Sequence, residues 1–394
     1  MAESTQQVFI ERGTVSYRKA TLALFCAGFA TFALLYCVQP LLPQLAEAFQ
    51  VSAATSSLAL SSTTLSLACC LLVAGALSES WGRKPIMAIG LLLACALGIT
   101  CALVRDWHSL LVLRTLLGIA LSSLPALAMA YVGEEFSPRS LPVAMGLYVG
   151  GTALGGLLGR LLAGWLSDLG GWSLALGGIS ALGALACLLF IWLLPPAQHF
   201  QAQPFSIVGL SRNFKTHLLN PQLRRLFLLS FLLMGSFVAL FNYIGFHLLQ
   251  QPFVLSPTVI GLLFLVYLFG MVSANWSGRL VQRFGAKPVL NSSLGLMLLG
   301  VLLCLTLWLP SVILGLSLFT IGFFAAHAVA SGLVGQKACS AKAQASALYL
   351  CTYYLGSSAL GYSSGWIWDH FHWNWLILFL AAVLLVALYS TRKL

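Results

Sequence analysis

Apolar runs of about 20 residues recur along the whole chain, separated by short polar stretches. A helix rising 1.5 Å per residue needs about that length to cross the ~30 Å hydrocarbon core of a bilayer. One such run is compatible with a buried core helix; a dozen in succession are not. Only 7% of the 394 residues are charged, against about 25% in an average soluble domain. Such a chain cannot coat a water-facing surface, which excludes a soluble enzyme, a secreted disulfide scaffold and a disordered protein. The expected architecture is all-α and multi-pass. The runs predict twelve transmembrane helices near 20–42, 53–76, 86–104, 108–131, 142–166, 172–194, 225–248, 257–277, 288–308, 310–333, 343–367 and 372–391. The first run is too long for a signal peptide and has no clean small-residue cleavage site, so it is expected to be a mature span.

Twelve spans put both termini on one side, and the loops indicate which. Of the twenty Lys and Arg residues, seventeen fall in one alternate set of loops and tails, from Arg12 and Arg18 through Arg83 and Lys84 to Arg392 and Lys393. The opposite set holds only Arg105, and Arg114 and Arg160 fall inside spans. Cytoplasmic loops carry the excess of Lys and Arg, so both termini and the 195–224 segment are expected in the cytoplasm. The net charge of +11 therefore points to the bilayer rather than to nucleic acid, whose binders gather their bases on one water-exposed face. Nine of the ten cysteines lie in or at the ends of apolar runs and Cys339 in a loop, with no paired metal spacing. They read as small buried hydrophobes.

The chain repeats itself. Residues 147–172 and 348–373 pair Tyr148 with Tyr349, Gly155 with Gly356, Gly164 with Gly365, Asp168 with Asp369 and Trp172 with Trp373. Residues 75–85 and 278–288 pair Gly75 with Gly278, Gly82 with Gly285, Lys84 with Lys287 and Pro85 with Pro288. The two shifts, 201 and 203, describe parallel six-helix halves: 1–196 and 225–394, joined by a cytoplasmic linker over 197–224. Parallel halves related by an axis along the membrane normal are a transporter arrangement, with the ligand site between them near mid-membrane.

Between the second and third spans the chain reads GALSESWGRK. Two six-helix repeats with this loop resemble the major facilitator superfamily, whose signature here is Gly-x-x-x-Asp-(Arg/Lys)-x-Gly-Arg-(Arg/Lys). Gly75, Gly82, Arg83 and Lys84 match, while Glu79 replaces the Asp and Ser80 the following base. The resemblance covers the whole chain and is nearest to bacterial inner-membrane transporters grouped with drug and arabinose efflux permeases. It implies export, proton-coupled, with Gly75, Glu79, Gly82, Arg83 and Lys84 as a gating motif. The family's antiporter motif places a Pro after a Gly in the fifth helix; here Thr152 follows Gly151. Apart from the name, Gly75 and Gly82 suit close approach and a tight turn, and small-xxx-small spacings at 146/150, 151/155 and 155/159 suit tight helix packing.

Ionisable groups at membrane depth are functional candidates by default. Arg114 is the first choice for the central cavity, with a structural tie to backbone carbonyls as the alternative. Arg160 is expected to snorkel to the outer surface. All nine acids fall in loops, tails or span ends, so proton coupling is assigned to Glu134, Glu135, Asp168 or His327. Asp168 and Asp369 also read as caps of the sixth and twelfth helices. The pocket candidates are Phe32, Tyr36, Gln39, Arg114, Tyr148, Asn242, Tyr243, Tyr267, Tyr349 and Tyr353. Large apolar faces with few polar handles suit a small amphipathic or weakly polar ligand, drug- or sugar-like. No phosphate loop, zinc motif or nucleophile elbow occurs, so no enzyme, cofactor or metal is expected. The function expected is proton-coupled efflux by a monomer in the bacterial inner membrane. A nutrient importer of the same fold and a non-transporting sensor are the alternatives.

Overall fold

The computed structural model describes residues 9–200, 214–338 and 342–393, apart from the side chains of 76, 79, 342, 343 and 393. Glu79's side chain, Cys339 and residues 201–213 of the linker therefore lie outside the described residues.

The first half holds α1 (Val15–Tyr36), α2 (Leu42–Ala48), α3 (Ala53–Trp81), α4 (Arg83–Cys101), α5 (Trp107–Leu121), α6 (Pro125–Glu135) and α7 (Leu141–Leu193). The second holds α8 (Pro221–Leu249), α9 (Pro257–Leu262), α10 (Tyr267–Phe284), α11 (Ala286–Leu303), α12 (Leu309–Lys337) and α13 (Lys342–Ser390). Side-chain caps start several of them: Thr14 accepts from Tyr17 N–H, Ser52 from Thr55 N–H, Asp106 from Ser109 N–H and Asn220 from Gln222 N–H. Each cap satisfies a donor that the helix cannot.

Ten helical stretches among the described residues are long and apolar enough to cross a membrane. Two are double-length and reverse direction. α7 breaks at Gly170 and Gly171, the latter at φ 73°, and α13 breaks at His372, φ 62°. Both ends of α7 lie on one face: Ser140 Oγ accepts from Arg12 N–H, and Lys84 Nζ donates to the Leu194 carbonyl. The C-terminal end of α13 reaches the same kind of position in the second half, where Lys287 Nζ donates to the Arg392 carbonyl at 2.6 Å. We call the face carrying both chain ends the near face and the opposite one the far face.

Several expected spans are segmented. The first continues through a tight turn at Gln39–Leu41 into α2, at Pro40 and Pro43. The fourth divides at Pro125, which lacks the N–H a continuing helix needs. The eighth contains a 3₁₀ turn at Leu263–Val266, which no Pro marks. Gly82 and Gly285 end α3 and α10 at φ 91° and 85°. Only a residue without Cβ enters that region at little cost, so both repeats use one hinge.

Within each half the closest packing is repeat-equivalent. A Cβ on Gly151, Gly155 or Gly159 would lie 2.9, 2.6 or 2.7 Å from the Cα of Phe25, Phe29 or Ala33 on α1. A Cβ on Gly356 would lie 2.7 Å from Phe231 Cα on α8. Small residues thus seat α7 on α1 and α13 on α8, as helix association in lipid requires.

Candidate functional site

A cavity of about 460 Å³ lies between the halves, walled by α1, α6 and α7 on one side and α8, α10, α12 and α13 on the other. Phe32, Tyr36, Tyr148, Tyr267, Tyr349 and Tyr353 all line it. Tyr148 and Tyr349 are repeat-equivalent, so the pseudo-twofold axis runs through the cavity. A second cleft, of about 630 Å³, is walled only by α10, α11 and α12 and by apolar residues such as Trp276 and Phe284. Among the described residues it takes nothing from the first half, and its polar residues are three serines with no charged group, so the central cavity is the candidate site.

The other pocket candidates lie elsewhere. Arg114 does not line the cavity. It is buried inside the first half, where Nε donates to the Ala59 carbonyl at 2.7 Å, Nη1 to Leu34 at 3.1 Å and Nη2 to Leu35 at 2.9 Å. The guanidinium ties α5 to α3 and α1, the alternative left open above. Tyr243 packs away from the cavity and donates to the Gly361 carbonyl at 2.9 Å. Gln39 and Asn242 meet across the halves, Gln39 Nε2 donating to Asn242 Oδ1 at 2.8 Å.

Arg160 differs most from expectation. It does not snorkel; it is 2% exposed and lines the cavity. Its Nε donates to Gln39 Oε1 at 2.7 Å and Nη1 to its own helix at Gly156 O at 2.6 Å. The guanidinium lies 4.2 Å from the ring centre of Tyr36 and 4.9 Å from that of Tyr267. α9 packs on this part of the span, where a Cβ on Gly261 would lie 3.4 Å from the Leu161 carbonyl and 3.7 Å from that of Arg160. Among the described residues the wall contains no carboxylate.

His327 lines the cavity opposite, its Nδ1 3.0 Å from Tyr349 Oη and its ring 4.8 Å from that of Tyr353. The three carboxylates offered as proton carriers are engaged away from the cavity. Glu134 pairs with Arg83 at 2.7 Å. Glu135, buried, accepts from the backbone N–H groups of Gln198 and His199 at 3.0 and 2.8 Å and faces His199 Nδ1 at 3.1 Å. It pins the start of the linker to the near face.

Asp168 and Asp369 do not cap the sixth and twelfth helices. Asp168, on α7, accepts from Thr258 N–H at 2.9 Å and from the Thr258 hydroxyl, at the start of α9. Asp369, on α13, accepts from Ala54 N–H at 3.2 Å, at the start of α3. Each carboxylate reaches across to the opposite half and caps a helix there, where a negative charge is favoured. One turn before each lies the paired glycine. A Cβ on Gly164 would sit 2.9 Å from the Pro257 carbonyl, and one on Gly365 would sit 2.5 Å from Ala54 Cα. Two related Gly-x-x-x-Asp contacts thus hold the halves together at the far end.

On the near face Gly82 makes the α3–α4 turn, and Arg83 bonds Ser78 and Glu134 of its own half. Lys84 likewise stays within the first half, on Leu194. A Cβ on Gly75 or on its counterpart Gly278 would meet nothing within 4 Å. At this end the motif residues whose side chains are described make no contact across the halves.

Phe237, Phe323 and Phe324 also line the cavity and had not been singled out. The signal for Arg160 was present: 148, 152, 156 and 160 follow at i+4 spacing, one helix face. Starting from the pocket candidate Tyr148, that face runs directly to Arg160. Phe323, His327 and Ser331 have the same spacing on α12. The Phe residues carried no signal, since nothing in an apolar span distinguishes cavity from lipid.

Two helical halves joined at one end around a central cavity define a membrane transporter rather than an enzyme. The profile described as Major Facilitator Superfamily matches residues 226–392, and that of Sugar (and other) transporter matches 5–204. The chain belongs to the major facilitator superfamily. It is 45% identical to the uncharacterized MFS-type transporter YybF of Bacillus subtilis, over 97% of this chain and 94% of YybF. It is also 45% identical to the inner membrane transport protein YnfM of Escherichia coli, over 96% and 91%. Among solved structures, a bacterial homolog of the human lysosomal transporter Spinster, inward-facing and unoccupied, superposes with a TM-score of 0.77 at 16% identity, over 96% and 97% of the two chains.

Proposed function

We propose that this transporter is a secondary exporter, moving a small amphipathic organic molecule out of the cytoplasm in exchange for protons. The observation that carries the reading is the cavity. Both halves build it, ten of its twenty-five lining residues are Phe or Tyr, and contacts between the halves join its far end. Rocking the halves about such a site exposes it to one side at a time. The seventeen-to-one bias of basic residues supports a cytoplasmic near face, so the far-closed state is inward-facing. Residence in a bacterial inner membrane, as a monomer, is consistent with that arrangement. Resemblance to drug and arabinose efflux permeases supports export.

We assign the proton to His327. Among the described residues it is the one His, Asp or Glu on the cavity wall, and an imidazole changes charge in the physiological range. The test is a panel of amphipathic molecules in proteoliposomes with an imposed ΔpH. Transport of at least one should collapse when ΔpH is dissipated, and His327→Gln should lose ΔpH-driven accumulation while retaining counterflow exchange. Transport indifferent to both ΔpH and membrane potential would sink the coupled mechanism.

A further inference from the structure

The closed end of the cavity has a surplus of donors. Arg160 is a cation at membrane depth, 2% exposed, and among the described residues no carboxylate pairs with it. Two of its nitrogens are engaged, on Gln39 and Gly156, and no described residue accepts from Nη2. The hydroxyls of Tyr36 and Tyr267, whose rings flank the guanidinium, are buried without a partner among the described residues. Guanidinium and amide N–H groups only donate, and a phenol hydroxyl donates one hydrogen. Three groups that can donate, Arg160 Nη2 and the two phenol hydroxyls, thus gather at one uncompensated positive charge. Leaving buried donors and a buried charge unmatched is costly.

A neutral ligand satisfies part of that demand, and a cationic one is repelled. A carboxylate supplies the opposite charge and up to four lone-pair sites in one group. We infer that the cargo is an organic anion, a carboxylate attached to an aromatic or other apolar body. Arg160 binds the carboxylate with Tyr36 and Tyr267, and Phe237, Phe323 and Phe324 cover the body. The inference rests on the reading that this cavity holds the cargo. Gly156 serves the same end. A Cβ there would stand 3.2 Å from Arg160 Nη1, within the space the folded-back guanidinium occupies.

The test compares 2-naphthoate with its neutral isostere 2-naphthamide, by equilibrium dialysis against the purified full-length protein. A charge-assisted hydrogen bond in place of a neutral one predicts naphthoate tighter by about tenfold or more. Arg160→Gln should bring the two ligands within about twofold, and Arg160→Lys should keep part of the preference, since Lys retains the charge without the fork. Equal affinity of the two in the wild-type protein, or no naphthoate binding, overturns the inference, as does a preference that survives in Arg160→Gln. The wild-type comparison decides the charge class even if the variants fail to fold. Flux of both ligands from proteoliposomes is read separately. Selective naphthoate binding without flux leaves the anion site standing and sinks the transport reading. Flux with no charge preference does the reverse.

Discussion

Removing the charge from the two far-end carboxylates should open that end of the molecule. The substitutions are Asp168→Asn and Asp369→Asn, alone and together. Asn keeps the shape and one acceptor oxygen, so the packing of Gly164 on α9 and Gly365 on α3 is preserved. What is lost is the ionic part of the contact. Hydrogen bonds to charged groups contribute about 1.5–3 kcal/mol against 0.5–1.5 for neutral ones, and a charge at a helix N-terminus adds about 0.3–1. Asp168 makes two bonds but is exposed, and Asp369 makes one at 3.2 Å while half-buried. Discounted for solvent screening, each change costs the far-closed state about 1 kcal/mol. That is about fivefold in the open-to-closed ratio, and about thirtyfold for the pair. A far-open population of about 1% would rise to roughly a quarter.

Spin labels report this directly. Positions 103 and 307 follow α4 and α11 on the far face, in opposite halves, and Leu103 and Leu307 are 74% and 68% exposed. With the native cysteines replaced, pulsed electron-spin distances between them should gain a longer component, small in each single variant and large in the double one. Asp106→Asn is the control, because Asp106 caps only its own helix, and should change nothing. An unaltered distance distribution in the double variant would refute the latch.

Gly365→Ala should act in the same direction but more strongly than Gly164→Ala, because its Cβ would press on Ala54 Cα whereas the other meets a carbonyl oxygen; the same label pair ranks them. Arg114→Leu removes three buried charge-assisted bonds and should cost about 3 kcal/mol of stability. Its melting temperature in detergent should fall while the folded fraction binds 2-naphthoate normally; a stable variant that has lost binding would return Arg114 to the site. Arg83→Gln should cost about 1 kcal/mol, and the swapped pair Arg83→Glu with Glu134→Arg should recover most of it in the same melt. No recovery would show that Arg83 acts through Ser78 instead.

Much of the fold was legible because lipid imposes it. Backbone groups in hydrocarbon must be satisfied within their own segment, so apolar runs of bilayer length mark helices without tertiary knowledge. Segment breaks at Pro40, Pro43 and Pro125 have a local cause that can be read in advance. The 3₁₀ turn at Leu263–Val266 does not. The pocket was legible where a polar or aromatic group marked a helix face, as with Tyr36, Tyr148, Tyr349 and Tyr353. It was illegible where rotation and depth decided. Arg114 and Arg160 are the same residue type in neighbouring spans, and hydropathy does not distinguish them. One turns inward to three carbonyls of its own half, and the other lines the gap between halves.

The same division holds for the acids. Apolar runs determined from sequence that the molecule is multi-pass, since that property depends on composition along the chain, while charge counts and the internal repeat supplied the expected orientation and the two expected halves. They also paired Asp168 with Asp369. Only the tertiary structure decided what that pair does. A cap on the next helix and a cap on a helix of the opposite half look identical in sequence, because the partner N–H is backbone and leaves no residue signature. The structure brings Thr258 to Asp168 from 90 residues away and Ala54 to Asp369 from 315. Two ordinary helix-end acids thereby become contacts between the halves at the far end.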